Sequence, residues 1–345
     1  MRVGPIPAGV CEERANLGLR AERSAETASA NGLEPRGSMT PPAAHPASID
    51  PELRIGSVHL AVSDLGRSVD FYERVLGLPL ISRGSEEAIL GPDPGAPLLQ
   101  LTRLHEPTVA PVRSSGLFHV AFLHPTRADL AETVLRVASA GWPLTGASDH
   151  GVSEALYLDD PDGLGLEIYV DRPRDQWPAP DGPDPVRMYT IALDLQSLLA
   201  AAQERFGPEI APGTGVGHVH LKVADLDRAV RFYRDVLGFH VQAHLPAAAL
   251  VAADGYHHHF GLNTWHSRGA PPAAPTAPGL RLVELQLGDS AQVDAVQRRL
   301  ADAGVEAVRD GDLLSLHDDD RQALSFSVAR VPATGSQSGA GGSQR

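Results

Sequence analysis

The sequence contains little that would bind nucleic acid, cross a membrane or form a disulfide. Of its 345 residues, 29 are Lys or Arg and 43 are Asp or Glu, and the net charge of −14 disfavours phosphate backbones and anionic lipid. No apolar run approaches the roughly eighteen residues of a membrane helix, and the start lacks the apolar core of a secretory signal. The single cysteine, Cys11, cannot form an internal disulfide. We therefore expect a cytoplasmic protein without nucleic-acid or membrane partners.

Segments of biased composition divide the chain. Residues 1–50 are rich in Ala, Pro, Glu, Ser and Gly without hydrophobic periodicity, so we predict a disordered N-terminal extension. Residues 332–345 are predicted to form a disordered tail. A proline-rich stretch opens residues 172–214, which we interpret as a linker. Two domains remain, 51–171 and 215–331.

An internal repeat organises both domains. The run VHLAVSDLGRSVDFYERVLGLPL at 58–80 returns as VHLKVADLDRAVRFYRDVLGFHV at 219–241, with about 13 of 23 positions identical. Such agreement indicates duplication. Each copy predicts a strand, a helix with apolar residues at helical spacing, and a glycine stop at Gly77 or Gly238.

Weaker copies of the same pattern begin at Leu117 and Leu280. Each again predicts a strand, a helix and further strands. The chain is therefore predicted to be an α+β protein of four βαβββ modules, near 53–105, 115–171, 215–265 and 279–330.

This pattern resembles the vicinal oxygen chelate superfamily, which includes glyoxalases, bleomycin resistance proteins and extradiol dioxygenases. The resemblance implies modules paired into half-open barrels around a metal. The implied ligands are the residue before the V-x-L-x-V of a first strand and the Glu of a last strand. Modules two and three supply His119, Glu167 and His218 there, whereas modules one and four supply only Ser57, Gln100, Leu282 and Ser325.

Two neutral imidazoles and one carboxylate form the facial triad that suits Fe(II) oxygenases. A lone strand histidine is more often a core or rim residue. Three ligand types at three matching positions favour a metal site instead. The resemblance therefore implies that His119, Glu167 and His218 hold Fe(II), with Mn(II) as the alternative.

A second resemblance concerns the segment HGVSEALY at 150–157 followed by DPDGLGLEIY at 160–169. It is similar to the segment that catechol 2,3-dioxygenase-like extradiol enzymes carry around their metal glutamate. The resemblance implies that His150 and Tyr157 contact substrate and bound oxygen.

The run GYHHHFGLN at 255–263 is similar to the strand that carries the acid/base histidine of extradiol enzymes. His258 gives the best match to the H-x-x-A-F/L pattern, and His257 and His259 leave the register open by one residue. The other interpretation is a polar strand edge or an adventitious metal-binding tract.

These resemblances imply extradiol cleavage of catechol or a substituted catechol with O2, giving a 2-hydroxymuconic semialdehyde-type product. The expected partners are a catecholic small molecule and O2, and a homo-oligomer is an open alternative to a monomer. A glyoxalase- or isomerase-type metal-dependent lyase is the competing enzyme class. A metal-free small-molecule-binding protein is the competing non-enzyme class.

Module order and chemistry predict different pairings. Sequential elements usually lie side by side, which would pair modules one with two and three with four and split the triad. Pairing two with three and one with four assembles the triad and predicts ligand atoms of His218 and Glu167 about 3–4 Å apart. His59 and His220, two residues beyond ligand positions, are predicted to line a cavity, with a weak second site of His59 and Glu284 as a minor alternative.

Overall fold

The computed structural model describes residues 48–203 and 207–329. Most of the predicted extension and tail, residues 1–47 and 330–345, lies outside the described residues. Ile49 and Asp50, which the sequence analysis assigned to the extension, are buried. The Ile49 amide donates to the Gly238 carbonyl at 2.9 Å, and Asp50 accepts from the Gly288 amide at 2.6 Å. The folded region therefore begins before residue 51, because these contacts anchor the first strand.

Each of the four repeats contains one strand, one helix and three further strands. The first comprises β1 (Arg54–Val62), α1 (Leu65–Arg74), β2 (Leu80–Arg83), β3 (Glu87–Leu90) and β4 (Leu99–Arg103). The second comprises β5 (Gly116–Leu123), α2 (Arg127–Ser139), β6 (Gly146–Asp149), β7 (Ser153–Asp159) and β8 (Gly165–Asp171). The segment predicted as a linker contains a 3-10 turn (Arg174–Gln176), β9 (Ile191–Ala192) and α3 (Leu195–Leu199).

The second half repeats this order. The third repeat comprises β10 (Gly215–Lys222), α4 (Leu226–Arg231) with a π-helical turn (Phe232–Val236), β11 (His240–Leu245), β12 (Ala248–Ala252) and β13 (Phe260–Asn263). The fourth comprises β14 (Gly279–Leu287), α5 (Ser290–Asp302), β15 (Ala307–Asp310), β16 (Leu313–His317) and β17 (Ala323–Val328). No helix among the described residues is long and apolar enough to cross a membrane. The protein is a sheet-rich α+β fold.

Strand pairing follows one rule within every repeat and another between repeats. Within a repeat the first strand runs parallel to the last, as in β5 with β8, and the remaining neighbours are antiparallel. Between repeats, β5 pairs antiparallel with β10, and β1 pairs antiparallel with β14. A single short contact, Ile55 opposite Val216, joins β1 to β10. The first strands of repeats two and three, β5 and β10, therefore lie side by side in one sheet.

The helices begin at capping side chains and bury one face against the sheet. The caps are Asp64, Thr126, Asp225 and Asp289, each of which accepts from the amide three residues on. On α1 the buried residues Leu65, Val69 and Tyr72 recur at the spacing of one helical face. This packing fixes where each repeat's strands start.

Two equivalent tyrosine–aspartate contacts tie helices to distant turns. Tyr72 donates to Asp160 at 3.2 Å, and Tyr233 donates to Asp318 at 3.2 Å. The other oxygen of Asp318 accepts two backbone amides, those of Asp320 and Gln322, at 2.9 and 2.8 Å. Burial raises the pKa of Asp318 to about 7, although these hydrogen bonds oppose the rise. The folded protein therefore binds a proton at this site more tightly than an unfolded chain does.

Asp318→Asn should stabilise the fold more at pH 8 than at pH 5. A carboxyl whose folded pKa is raised loses stability as pH rises from its unfolded value near 3.8 towards about 7, and an amide has no such loss. We expect the free energy of unfolding of the variant, relative to the parent, to rise by on the order of 2 kcal/mol between these pH values. Urea unfolding at both pH values measures it. The exposed neighbour variant Asp319→Asn is the control, and equal differences at both pH values would contradict the prediction.

Candidate metal centre

Three adjacent strands place His119, Glu167 and His218 on one surface. In the pairing of β10 with β5, His218 lies opposite Ala121, and in the pairing of β5 with β8, Ala121 lies opposite Glu167. His119 is two residues before Ala121 and so shares its face. The small Ala121 side chain leaves space between its two neighbours. The register of three strands therefore brings together one histidine, one carboxylate and a second histidine.

A β-bulge directs His218 towards this point. The ladder between β10 and β5 shifts register between Val216 and His218, leaving Gly217 unpaired. A Cβ at Gly217 would lie 1.7 Å from the Tyr169 hydroxyl, so only glycine permits the approach of Tyr169. The bulge and the close packing of Tyr169 together set the direction of the His218 ring.

The donor atoms of the three side chains converge. His119 Nε2 lies 3.0 Å from Glu167 Oε2, His218 Nε2 lies 3.1 Å from the same oxygen, and the two Nε2 atoms are 3.3 Å apart. All three residues are buried. The predicted separation of about 3–4 Å between the ligand atoms of His218 and Glu167 thus agrees with the observed 3.1 Å.

The protonation states of the cluster favour a bound cation. Burial lowers the pKa of His218 to about 4, so its imidazole is neutral at neutral pH. Burial alone would raise the pKa of Glu167, but His218 and His119 outweigh that effect and hold it well below its usual range. A buried carboxylate without a full counter-charge costs free energy, and a bound cation would neutralise it.

The geometry also fits a metal ion. Ligand atoms about 2.1 Å from one ion, at octahedral or tetrahedral angles, lie about 3.0–3.4 Å from one another. The three observed separations fall in this range. Two nitrogens and one oxygen form the donor set typical of Fe(II), Mn(II) or Zn(II). His119, Glu167 and His218 therefore fit a divalent transition metal.

A second group of potential ligands, His218, His257 and His258, lies beside the first. Its nitrogens are already engaged with one another. His257 Nδ1 lies 2.9 Å from His258 Nδ1, and His257 Nε2 lies 2.9 Å from Asp171 Oδ1. With both His257 nitrogens hydrogen-bonded, this group is the poorer metal site.

A cavity of about 1830 Å³ opens onto the cluster. Its wall includes His119 and Glu167 together with His150, Tyr157, His220 and His258. Phe118, His220 and Trp265 form an aromatic wall, with ring centroids 5.2 to 5.5 Å apart. A small aromatic molecule can therefore reach the donor cluster along an aromatic surface.

His150 and Tyr157 form a hydrogen-bonded pair on this cavity. His150 Nε2 lies 2.8 Å from the Tyr157 hydroxyl, and His150 Nδ1 donates to the Tyr189 carbonyl at 3.0 Å. Burial lowers the pKa of His150 and raises that of Tyr157 well above its usual range, so both are neutral. The Tyr157 ring lies 5.8 Å from that of His119. The pair is therefore next to the donor cluster.

Of the three consecutive histidines, His258 is the one that lines the cavity. Its ring centroid is 4.0 Å from that of His218. His259 points elsewhere, since its Nδ1 accepts from the Ala253 amide at 3.2 Å. The sequence analysis expected the histidine on a strand, but β13 begins only at Phe260, so His258 lies in the preceding loop. The loop lets adjacent histidines face different directions, which a regular strand would not.

The first strands of repeats one and four and the last strand of repeat four carry a different network. Ser57 and Ser327 donate to the two oxygens of Glu284 at 2.8 and 3.2 Å. His59 is partly buried beside Gln100 and Leu282 in register. In the described part of the chain, His59 and Glu284 belong to no group of three potential ligands within 4.8 Å of one another. The minor alternative of a second metal site there is not supported.

Several residues at the site were missed by the sequence analysis. Phe118 and Trp265 form the aromatic wall, while Asp171 and Tyr256 join His257, a register alternative in the sequence analysis, in the network behind His258. Asp171 could have been found by alternation, because residues 167, 169 and 171 share one face of β8. The contact between Asp171 and His257 spans 86 positions and has no local sequence signal.

The chain belongs to the Glyoxalase/Bleomycin resistance protein/Dioxygenase superfamily, whose family model matches residues 54–168 and 215–312. It is 40% identical over 260 residues to the catechol-2,3-dioxygenase of Bacillus subtilis (strain 168), covering 74% of this chain and 90% of the relative. Membership of the superfamily predicted from the repeat is confirmed.

Two solved structures share the fold. A Bacillus subtilis protein named as a dioxygenase superposes with a TM-score of 0.56 at 14% identity, covering 82% of this chain and 86% of the other. Glyoxalase I of Zea mays superposes with a TM-score of 0.50 at 18% identity, covering 80% and 92%. At these identities the likeness concerns the fold alone.

Proposed function

We propose that the protein is an extradiol dioxygenase that cleaves catechol or a substituted catechol with O2 and releases a 2-hydroxymuconic semialdehyde-type product. The observation that carries this proposal is the convergence of His119, Glu167 and His218 at the base of an aromatic-walled cavity. The relative with 40% identity, named a catechol-2,3-dioxygenase, supports the same reaction class.

His119, Glu167 and His218 would hold Fe(II), with Mn(II) as the alternative. A bound metal of this kind acts as a Lewis acid on the two diol oxygens and provides a binding position for O2. The protein supplies only three donors, so its own side chains leave room for other ligands. Burial of the donors keeps competing bulk water away from them.

The remaining cavity residues take roles in orientation and proton transfer. His258, buried against the His218 ring, takes a proton from the diol hydroxyl and returns it to the reacting oxygen. Tyr157 and His150 would hold the reacting substrate, Tyr157 through its hydroxyl and His150 by orienting that hydroxyl. Because Tyr157 is neutral, its hydroxyl remains a donor.

The substrate class follows from the size and wall of the cavity. A volume of about 1830 Å³ exceeds the roughly 300–1,000 Å³ of common ligand pockets. Phe118 and Trp265 present ring faces and edges to this space. Catechols with an aromatic or apolar substituent would fill it better than catechol itself.

The four modules, two in domain 51–171 and two in domain 215–331, would form two half-open barrels. The β5–β10 ladder supports a barrel of modules two and three around the candidate site, and the β1–β14 ladder supports one of modules one and four. The 172–214 segment then connects repeats that lie side by side.

Purification without oxygen, reconstitution with Fe(II), and assay with a panel of catechols test the proposed reaction. We expect O2 consumption together with the yellow absorbance of a ring-opened semialdehyde. Metal binding without O2 consumption for any catechol would favour the lyase class, and absence of metal binding would favour a small-molecule-binding protein.

Replacing His119, Glu167 or His218 by Ala should abolish ring cleavage and sharply lower metal content. A three-donor site has no spare protein ligand, so loss of one donor weakens binding severely. Elemental analysis after reconstitution measures the metal. Glu284→Ala is the control, because Glu284 is a carboxylate of the first strand of repeat four, outside the donor cluster, and this variant should keep its metal. Full iron content in Glu167→Ala would refute the ligand assignment.

His258→Phe should keep its metal but reduce kcat by a factor on the order of 10²–10⁴, the usual range for a positioned acid or base. The phenyl ring preserves the packing against His218 while removing the nitrogens. His259→Phe serves as the control, because the His259 imidazole does not line the cavity. Equal loss in both variants would indicate a packing defect instead of acid/base chemistry.

Trp265→Ala should raise KM for an aryl-substituted catechol by about 3- to 10-fold and leave KM for catechol nearly unchanged. A lost aromatic contact is worth about 0.5–1.5 kcal/mol, which corresponds to this range. Steady-state O2 consumption with both substrates measures the difference. An equal rise for both would show that the Trp265 ring does not contact the substituent.

A further inference from the structure

A chain of hydrogen bonds runs from Asp171 through His257 to His258. Asp171 Oδ1 lies 2.9 Å from His257 Nε2, and His257 Nδ1 lies 2.9 Å from His258 Nδ1. The two histidines are buried, whereas the Asp171 side chain is 26% exposed. Asp171 ends β8, four residues after Glu167, so the chain starts on a strand that also serves the metal centre.

The second oxygen of Asp171 is also engaged. The Tyr256 hydroxyl donates to Asp171 Oδ2 at 2.9 Å, and the Tyr169 hydroxyl lies 2.7 Å from that of Tyr256. Because the Tyr256 hydroxyl donates a hydrogen bond to the carboxylate, it accepts a hydrogen bond from the Tyr169 hydroxyl. Two donors on one carboxylate favour its ionised, acceptor-only form.

This arrangement determines the direction of every hydrogen bond in the chain. A carboxylate can only accept, so His257 Nε2 donates to Asp171. A neutral His257 then has a lone pair on Nδ1, which requires His258 Nδ1 to donate. His258 consequently has its lone pair on Nε2.

We propose that Asp171 and His257 are positioning residues that fix the tautomer and ring orientation of His258, so that its Nε2 lone pair is available to the diol. The consequence for catalysis rests on the proposed function. The hydrogen bonds select one tautomer of His258 and involve no change in its number of protons. The arrangement resembles a carboxylate that hydrogen-bonds to a catalytic histidine and orients it, except that the His257 imidazole lies between Asp171 and His258.

Asp171→Asn tests the proposal because the amide can reverse the donor and acceptor of each hydrogen bond between residue 171, His257 and His258. Its NH2 group donates to His257 Nε2, and its oxygen still accepts from Tyr256. His257 Nδ1 then donates to His258 Nδ1, which places the His258 proton on Nε2. The shape of the side chain is unchanged, so the variant should fold like the parent.

The first measurement is the tautomer itself. Long-range ¹H–¹⁵N NMR of ¹⁵N-histidine-labelled protein loaded with diamagnetic Zn(II) should show His258 protonated on Nδ1 in the parent and on Nε2 in Asp171→Asn. The His258 signals are assigned by their absence from His258→Phe. Asp184→Asn is the matched control, because Asp184 pairs with the exposed His244 at 2.8 Å and should leave the His258 signals unchanged.

The second measurement is the kinetics of the Fe(II) enzyme. Asp171→Asn should lower kcat by a factor on the order of 10²–10⁴ with KM within about threefold and unchanged metal content, since only the proton acceptor is lost. His257→Phe, which breaks the chain without reversing it, should lower kcat too and show both His258 tautomers by NMR.

The outcomes separate the two hypotheses. If the parent has His258 protonated on Nε2, or if Asp171→Asn leaves the tautomer unchanged, the positioning role is refuted. If the tautomer switches but kcat does not fall, the chain does not serve catalysis and the proposal is overturned. A tautomer switch in a protein that cleaves no catechol would support the positioning chain and refute the proposed function instead.

Discussion

The pairing of β5 with both β8 and β10 is the constraint on which the candidate site depends. It places Ala121 between Glu167 and His218 and puts His119 one pleat away. A slip of one residue in either ladder would turn a ligand to the opposite face. Buried apolar neighbours such as Val120 and Ile168 resist such a slip, because it would expose them. The hydrophobic core thus keeps three polar side chains together, although burying them costs free energy.

The sequence could predict the site's donors because they occupy fixed places in a repeat. His119, Glu167 and His218 were predicted from their positions within the modules, and the structure brings their candidate donor atoms within 3.3 Å of one another. It could not predict the loop before β13, because three consecutive histidines carry no periodic signal. Asp171 was missed for another reason: its partner His257 is distant in sequence, and only tertiary packing joins them.

Duplication gives two pairs of repeats that share a strand register and differ in their polar residues. Repeats one and four keep the same strand register, with Ser57 opposite Glu284 on β14. There the carboxylate is satisfied by two serine hydroxyls, so it needs no cation. In repeats two and three the carboxylate faces two imidazoles instead. The two pairs of repeats share the fold and differ in which strand carries the carboxylate and in the partners of that carboxylate.

The histidines around the donor cluster are also buried polar groups that need hydrogen-bond partners. His218, His257 and His258 pack within 6 Å of one another, and burial lowers the pKa of both His218 and His258. Imidazoles in such contact need their protons arranged so that each N–H meets an acceptor. Asp171 provides the terminal acceptor, and its partial exposure limits the cost of its charge. A single carboxylate at the end of β8 is therefore the acceptor at one end of the buried histidine chain, while Glu167 on the same strand face belongs to the candidate metal centre.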